Sequence, residues 1–424
     1  MSFDRRNFIK TSLGAAILAP TTKIFSSTKY NSAQVSSSVL FKELESIALK
    51  PVIKINIIKE PVIVESLELL KTYDHYIVRA RSKDGAEGIA FTGKKIIYLY
   101  PILLQQVFPV FIGKDARMLE ELLDQVYVYD SNYKMQGLAF WCCVAWAEFA
   151  ILDLLGKTAN KHISYFFGER VRDKVPIYTA SGNRGTSPEE EVEILQKKME
   201  ETGAKAVKFK VGGRMSRNRD AIPNRSEKLI ELSRKTLGDE ITIQADANGS
   251  YDVKNAIEIG KRLEGINAYL FEEPCPFDYL DETKQVADAL NIPVSGGEQE
   301  SSEYRFRQML AEDIVQILQP DLHYYGGYIR TTRVARMAEH LNVPLTCHIS
   351  NDNTGYADMA NLFSFVPNMG RFQELKTDYE FTAPMFEPPI EIKDGFINIP
   401  TGPGNGLVHT EDLIKKATVI KESI

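Results

Sequence analysis

The sequence predicts an α/β fold, a parallel β/α barrel with a small α+β region ahead of it. Three observations carry that expectation. Between residues 175 and 375 short β runs alternate with helix-period segments, eight of the former and seven of the latter. The span suits a closed parallel barrel better than an open sheet. Finally, every run from the second to the eighth closes on a charged or titratable residue, the position where barrels carry their chemistry.

The composition is that of a globular chain. With 424 residues, 44% hydrophobic and 25% charged, collagen-like, low-complexity and disulfide-stapled classes are excluded. Lys and Arg number 51 against 57 Asp and Glu, a net charge of −6 that offers no basic field to nucleic acid. Four cysteines without CxxC or metal spacing read as buried thiols.

Residues 1–38 read as a signal and linker. Arg5-Arg6 and Lys10 precede the apolar stretch 13–19 and a Ser/Thr-rich tract, which resembles a bacterial twin-arginine export signal. That resemblance implies periplasmic localisation. Residues 1–33 hold five basic groups and one acidic one, so their removal would leave a net charge of −10. The apolar stretch is too short to span a bilayer, and no stable membrane span is expected.

Residues 39–172 read as the α+β region. Val52 to Ile58 and Tyr76 to Arg81 are extended, Asp84-Gly85 turns into Ile89 to Phe91, and a helix runs from Leu138 to Leu155 with Gly156 as its stop. The barrel, 173–375, has β runs at Val175 to Ala180, Ala206 to Val211, Thr242 to Asn248, Ala268 to Glu273, Pro293 to Glu298, Ile314 to Asp321, Pro344 to Ser350 and Arg371 to Leu375. Helix-period segments between them include Glu189 to Glu201, Val253 to Leu263 and Ile329 to His340. The tail, 376–424, is Pro/Gly-rich and is expected to fold back on the N-terminal region.

The strand ends supply the candidate site. Asp246, Glu272, Glu298, Asp321 and His348 follow one another at 26, 26, 23 and 27 residues, one βα unit each, which stacks them around one mouth. Period-two alternation turns Lys208 and Lys210 inward together and favours Glu272 over Glu273. Three inward carboxylates, Asp246, Glu272 and Glu298, cannot all ionise in one cavity without a cation. Oxygen ligands suit one Mg²⁺ better than zinc. Beside it, Lys210 reads as a general base with Lys208 as a second ammonium, and Asp321 is placed to fix one tautomer of His348. Base, metal and acid in that order would remove a proton next to a carboxylate. The resulting enediolate would be held by Mg²⁺, and by Glu374 if that residue is protonated. Asn248, on the same face as Asp246, and His323, two beyond Asp321, are candidate substrate contacts. In the excursion 212–223, Arg214, Arg217 and Arg219 either close over an acidic substrate or lie on a solvated loop.

These residues resemble the enolase superfamily, and within it the mandelate racemase subgroup (mandelate racemase/muconate lactonizing enzymes). The signature is Lys-x-Lys on strand two, carboxylates on strands three to five, an Asp and His pair on strands six and seven, and a Glu on strand eight. The resemblance implies a (β/α)7β modified TIM barrel, with a capping domain formed by the N-terminal segment and C-terminal tail. It implies Lys210 as base and Lys208 as its electrostatic helper. Asp246, Glu272 and Glu298 are then the Mg²⁺ ligands, Asp321 with His348 the second acid/base, and Glu374 the strand-eight group. Dehydration of a sugar acid to a 2-keto-3-deoxy acid leads, with a racemase, epimerase or cycloisomerase as alternatives. A Schiff-base aldolase and a non-catalytic sugar-acid binding protein are more distant readings. The partner is a small carboxylate, the assembly a homo-oligomer, and specificity is assigned to capping loops near Pro61 to Tyr73 and Phe91 to Tyr100.

Overall fold

The computed structural model describes residues 37–73, 75–350, 355–376, 386–387 and 390–421. The export-signal reading therefore lies outside the described residues, apart from Ser37 and Ser38, which open a helix over Ser37–Ala48. That helix lies on the outside of the barrel. Its Phe41 ring meets Tyr304 at 4.7 Å, and Glu45 pairs with Arg307 at 3.0 Å.

The cap is an antiparallel sheet of β1 (Val64–Thr72), β2 (His75–Ser82) and β3 (Glu87–Phe91), extended at its β1 edge by Thr418–Val419 of the tail. The tail thus returns to the N-terminal region through the register Leu70 to Val419 and Lys71 to Thr418. Two expectations are corrected. The stretch 61–73, read as a loop, is mostly β1; a register shift between Val64 and Ser66 breaks the alternation that would have revealed it. Conversely, 52–58 is not a strand, because its backbone donors are taken elsewhere: Val52 by the Glu120 carboxylate and Lys54 by the carbonyl of Phe166.

Among the described residues one helix, Leu138–Thr158, is long and apolar enough to cross a membrane, yet 89% of its apolar window is buried inside the fold between cap and barrel. Apolar residues occupy all its faces because all of them are covered. Gly156, expected to stop this helix, lies inside it. The reason is packing: a Cβ there would stand 2.6 Å from the Gly404 Cα.

The barrel runs β4 (Lys174–Ala180), β5 (Ala206–Lys210), β6 (Thr242–Asp246), β7 (Leu270–Glu272), β8 (Val294–Gly296), β9 (Ile317–Leu318) and β10 (Gln373–Lys376), all parallel, and β10 pairs with β4 to close it. The seventh position is held by single bridges, Leu318 to Leu345 and Leu345 to Met369, and Pro344 contributes no N–H to the ladder. Helices follow the strands at Pro188–Thr202, Arg225–Leu237, Val253–Gly265, Leu280–Ala289, Glu303–Ala311, Tyr328–His340 and Gly355–Phe363, which gives the (β/α)7β order. Local signals set their ends. Ser187 and Glu190 form a reciprocal capping box before Pro188, and Gly203 closes that helix at φ 72°. Asp252 caps the helix that leaves β6 by accepting from the Asn255 N–H. Beneath the barrel, the hairpin of 392–393 and 396–398 adds antiparallel to the start of β4.

Candidate active site

Register aligns the central row. Lys210 pairs with Asp246 and Asp246 with Glu272, so three consecutive strands end at one level. Glu298 joins them after Gly297, whose φ of 113° bends the chain beyond β8 and re-aims the next side chain. One carboxylate oxygen from each of Asp246, Glu272 and Glu298 lies within 4.8 Å of the other two, and all three residues are buried.

The two lysines pair differently. Lys208, fully buried, donates to both Glu272 oxygens at 3.0 and 2.8 Å, stands 3.2 Å from Glu374, and lies over the Tyr178 ring. Burial alone would lower its pKa, but Glu272 and Glu374 hold the ammonium well above its ordinary value. Lys210, nearer the opening, contacts Asp246. Burial resists ionisation of Asp246, yet Lys210 and Lys208 bring its carboxyl down to about 2. Glu272, desolvated and beside Asp246, is pushed up to about 8. Such opposed shifts in one cluster mark anions crowded beyond the cations available to them.

Across the mouth, Asp321 is tightly held. Its Oδ1 accepts from the backbone N–H groups of His323 and Tyr324 at 2.8 and 2.9 Å and from Ser350 Oγ at 3.0 Å. Oδ2 is left for His348 Nδ1 at 2.8 Å. These hydrogen bonds and the imidazole overcome burial and hold Asp321 below the usual carboxylate range. His348 is shifted upward against its own desolvation by Glu298, Glu374 and Asp321. Its Nε2 faces the cluster, 3.7 Å from Glu298.

Glu374 closes the ring. Its expected hold on an enediolate was conditional on its being protonated; although burial opposes ionisation, Lys208 and His348 hold it below the ordinary range. Its Oε2 also accepts from the Ile349 N–H at 2.9 Å, so here it is an ionised partner of Lys208. Asn248 is in the cluster, its amide nitrogen 3.3 Å from Glu273 and 3.5 Å from Glu298. His323 is not. Trp146 Nε1 donates to its Nδ1 at 3.1 Å and Asp358 takes its Nε2 at 3.1 Å, so both ring nitrogens are occupied away from the mouth.

Two participants escaped sequence reasoning. Glu273 was assigned outward by alternation, but its φ of 41° breaks the strand after Glu272 and it ends buried, its carboxyl held up by desolvation and by Glu298. No periodic signal announces such a turn. Gln319 donates to Glu272 Oε2 at 2.7 Å from the end of β9, and only its inward parity after Ile317 could have marked it.

The donor set fits a hard divalent cation. Three buried carboxylates converge, and Glu298 Oε2 is buried without a hydrogen-bond partner among the described residues. No imidazole or thiolate belongs to that triad.

Residues 190–413 match the family model "Enolase C-terminal domain-like". A solved structure from Roseobacter denitrificans is 31% identical, with a TM-score of 0.79 over 85% of this chain and 100% of that one. A mandelate racemase/muconate lactonizing protein from Paracoccus denitrificans, complexed with magnesium, is 26% identical, with a TM-score of 0.77 over 85% and 99%. Among curated proteins, arabinonate dehydratase of Saccharolobus solfataricus is 27% identical over 70% of this chain and 78% of its own length. D-galactarolactone cycloisomerase of Agrobacterium fabrum is 27% identical over 72% and 80%. The chain belongs to the enolase superfamily, in its mandelate racemase/muconate lactonizing branch.

Proposed function

We propose that the protein is a Mg²⁺-dependent acid-sugar dehydratase that removes the proton α to a carboxylate. The observation that carries this is the facing arrangement at one mouth: Lys210 on β5, His348 in the seventh barrel position, and the carboxylate triad between them. Relatives named as dehydratases of arabinonate and gluconate, and a galactarolactone cycloisomerase, support sugar-acid chemistry.

Asp246, Glu272 and Glu298 would hold the metal, which when bound supplies positive charge to the substrate carboxylate and so acidifies the α-proton. Lys210 Nζ accepts that proton as the C–H bond breaks and a C–C double bond of the enediolate forms. Lys208, pinned by Glu272 and Glu374, adds fixed positive charge beside the developing oxyanion. His348 Nε2 gives a proton to the β-hydroxyl, whose C–O bond breaks with loss of water. Tautomerisation of the enol yields the 2-keto-3-deoxy acid. Asp321 keeps the His348 proton on Nδ1, so that Nε2 faces the substrate.

The test is a panel of sugar acids in D2O with Mg²⁺, read by NMR for α-deuterium and for loss of water. Exchange with water loss supports the dehydratase. Exchange with retention of the hydroxyl identifies a racemase or epimerase, and no exchange with any acid that binds refutes the proton-abstraction reading. Export by the twin-arginine route belongs to the same proposal and rests on Arg5-Arg6 with the apolar stretch behind it. Replacing both arginines by lysine should leave the protein in the cytoplasmic fraction.

A further inference from the structure

Two guanidinium groups meet on one uncharged atom at the rim of this site. Arg184, in the loop after β4, donates to Asn248 Oδ1 at 2.7 Å, and Arg214, in the excursion after β5, donates to the same oxygen at 3.3 Å. Asn248 turns its amide nitrogen to Glu273 and Glu298, so a single amide separates the arginine pair from the carboxylate cluster. Among the described residues, Arg184 Nε is buried with no hydrogen-bond partner. Desolvation and the neighbouring Arg214 both work against the charge on Arg184, with Asp246 offsetting them. The excursion is fixed in place. Arg214, Met215, Arg217 and Asn218 all have positive φ, between 48° and 68°. Their backbone is tied to the loop after β6 by Arg214 N to Ser250 Oγ at 2.9 Å, Met215 N to Asn248 O at 3.0 Å and Asn218 N to Ser250 O at 2.7 Å. A run of left-handed, non-glycine residues persists only where surrounding contacts over-determine it, and such strain gathers at ligand clamps.

The donors here outnumber the acceptors. Neither arginine has a carboxylate within salt-bridge distance among the described residues, and a guanidinium fork matches a carboxylate in two parallel hydrogen bonds. We propose that Arg184 and Arg214 receive a second carboxylate at the distal end of the substrate, so that the enzyme acts on dicarboxylic sugar acids in preference to monocarboxylic ones. This rests on the proton-abstraction reading of the same mouth, which occupies the proximal carboxylate.

The test pairs each hexarate with the hexonate of the same configuration, which differs only in carrying a hydroxyl at C6. Binding is measured by calorimetry with saturating Mg²⁺, and α-deuterium exchange in parallel. A charge-assisted pair lost on one partner predicts at least about a tenfold tighter binding of the diacid. Arg184→Gln and Arg214→Gln should each remove most of that preference while leaving hexonate binding within about threefold, and Arg184→Lys should restore part of it. Equal affinity for the two members of every pair overturns the proposal. So does equal weakening of both by the Gln variants, which would make the arginines mere supports of Asn248. Loss of the preference in Lys95→Gln alone also overturns it, because Lys95 lies on the opposite rim, bonded to the Tyr324 hydroxyl at 2.9 Å. A diacid preference that depends on Arg184 without any α-exchange would sustain the subsite and refute the chemistry.

Discussion

Replacing Asp321 by asparagine is the most informative single change, because the two oxygens of this carboxylate have separate duties. Oδ1 accepts from three donors, two backbone N–H groups and the Ser350 hydroxyl, at 2.8 to 3.0 Å. In Asp321→Asn the amide oxygen must take that position, since an NH2 there would face three donors. The NH2 then points at His348 Nδ1, where the carboxylate now accepts at 2.8 Å. An N–H aimed at Nδ1 makes that nitrogen an acceptor and moves the imidazole proton to Nε2, the reverse of the native tautomer. The charge-assisted bond that stabilises the imidazolium is lost as well. At about 1.5 to 3 kcal/mol for such a bond, dehydration should slow by roughly 10- to 100-fold. The sign of the pH effect follows from the native shift. Carboxylates raise His348, so its acid form persists to higher pH; removing one of them lets it deprotonate sooner, and the alkaline limb of kcat moves to lower pH. Asparagine has the size of aspartate, so the melting temperature should change little compared with the rate. The assay is kcat against pH for water loss, with circular dichroism as the folding control. A variant within twofold of the native rate, with its alkaline limb in place, would refute the role assigned to the dyad.

Three other outcomes are expected. Lys208→Met leaves Glu272 and Glu374 buried without their shared ammonium and should cost about 3 to 5 kcal/mol in denaturant unfolding, whereas Lys210→Ala, at the opening, should abolish exchange from one face with a smaller loss. Chelation should make stability pH-dependent through Glu272: its folded pKa of about 8 exceeds its ordinary 4.5, so the folded state binds the extra proton and stability falls as pH rises between those values. Melting temperatures with EDTA should show that fall and Mg²⁺ should flatten it; identical curves would count against metal binding by the triad. Gly156→Ala forces a methyl to within 2.6 Å of the Gly404 backbone and should destabilise by about 1 to 3 kcal/mol, measured by urea unfolding.

The barrel was legible because its buried strands are short apolar runs that each end on a polar residue, and the βα period repeats that mark at nearly fixed spacing. The central site was legible for the same reason, since parity alone distinguishes Lys208 and Lys210 from Phe209. What failed was wherever backbone conformation departs from the period. The register shift in β1 hid a strand of nine residues, and the positive φ of Glu273 turned an outward residue inward. Protonation was also illegible. Glu374 reads by position as a group that would hold an enediolate if protonated, and only its 3.2 Å approach to Lys208 reveals it as an ion-pair partner. Gly156 fits a helix stop by residue type, but it is required by a tail that meets it from about 250 residues away.

The misassigned histidine joins these observations. His323 does not face the mouth, but its backbone N–H holds Asp321 Oδ1, and its ring is clamped between Trp146 and Asp358 and set edge-on to Phe149 at 5.0 Å. Trp146 and Phe149 belong to the long buried helix that links cap to barrel. Indole can only donate, so His323 Nδ1 must accept and its proton lies on Nε2, toward Asp358. A neutral, fully bonded imidazole is a rigid spacer, and it carries the position of the helix through three hydrogen bonds to the Nδ1 of His348. The orientation of His348, the proposed acid, is therefore set from the cap side of the molecule, while Lys210, the proposed base, is set by the β5–β6 register within the barrel. If these two groups transfer protons as proposed, their geometry is tied to the docking of cap on barrel, and Trp146 and Phe149 serve that geometry as well as the packing of the helix.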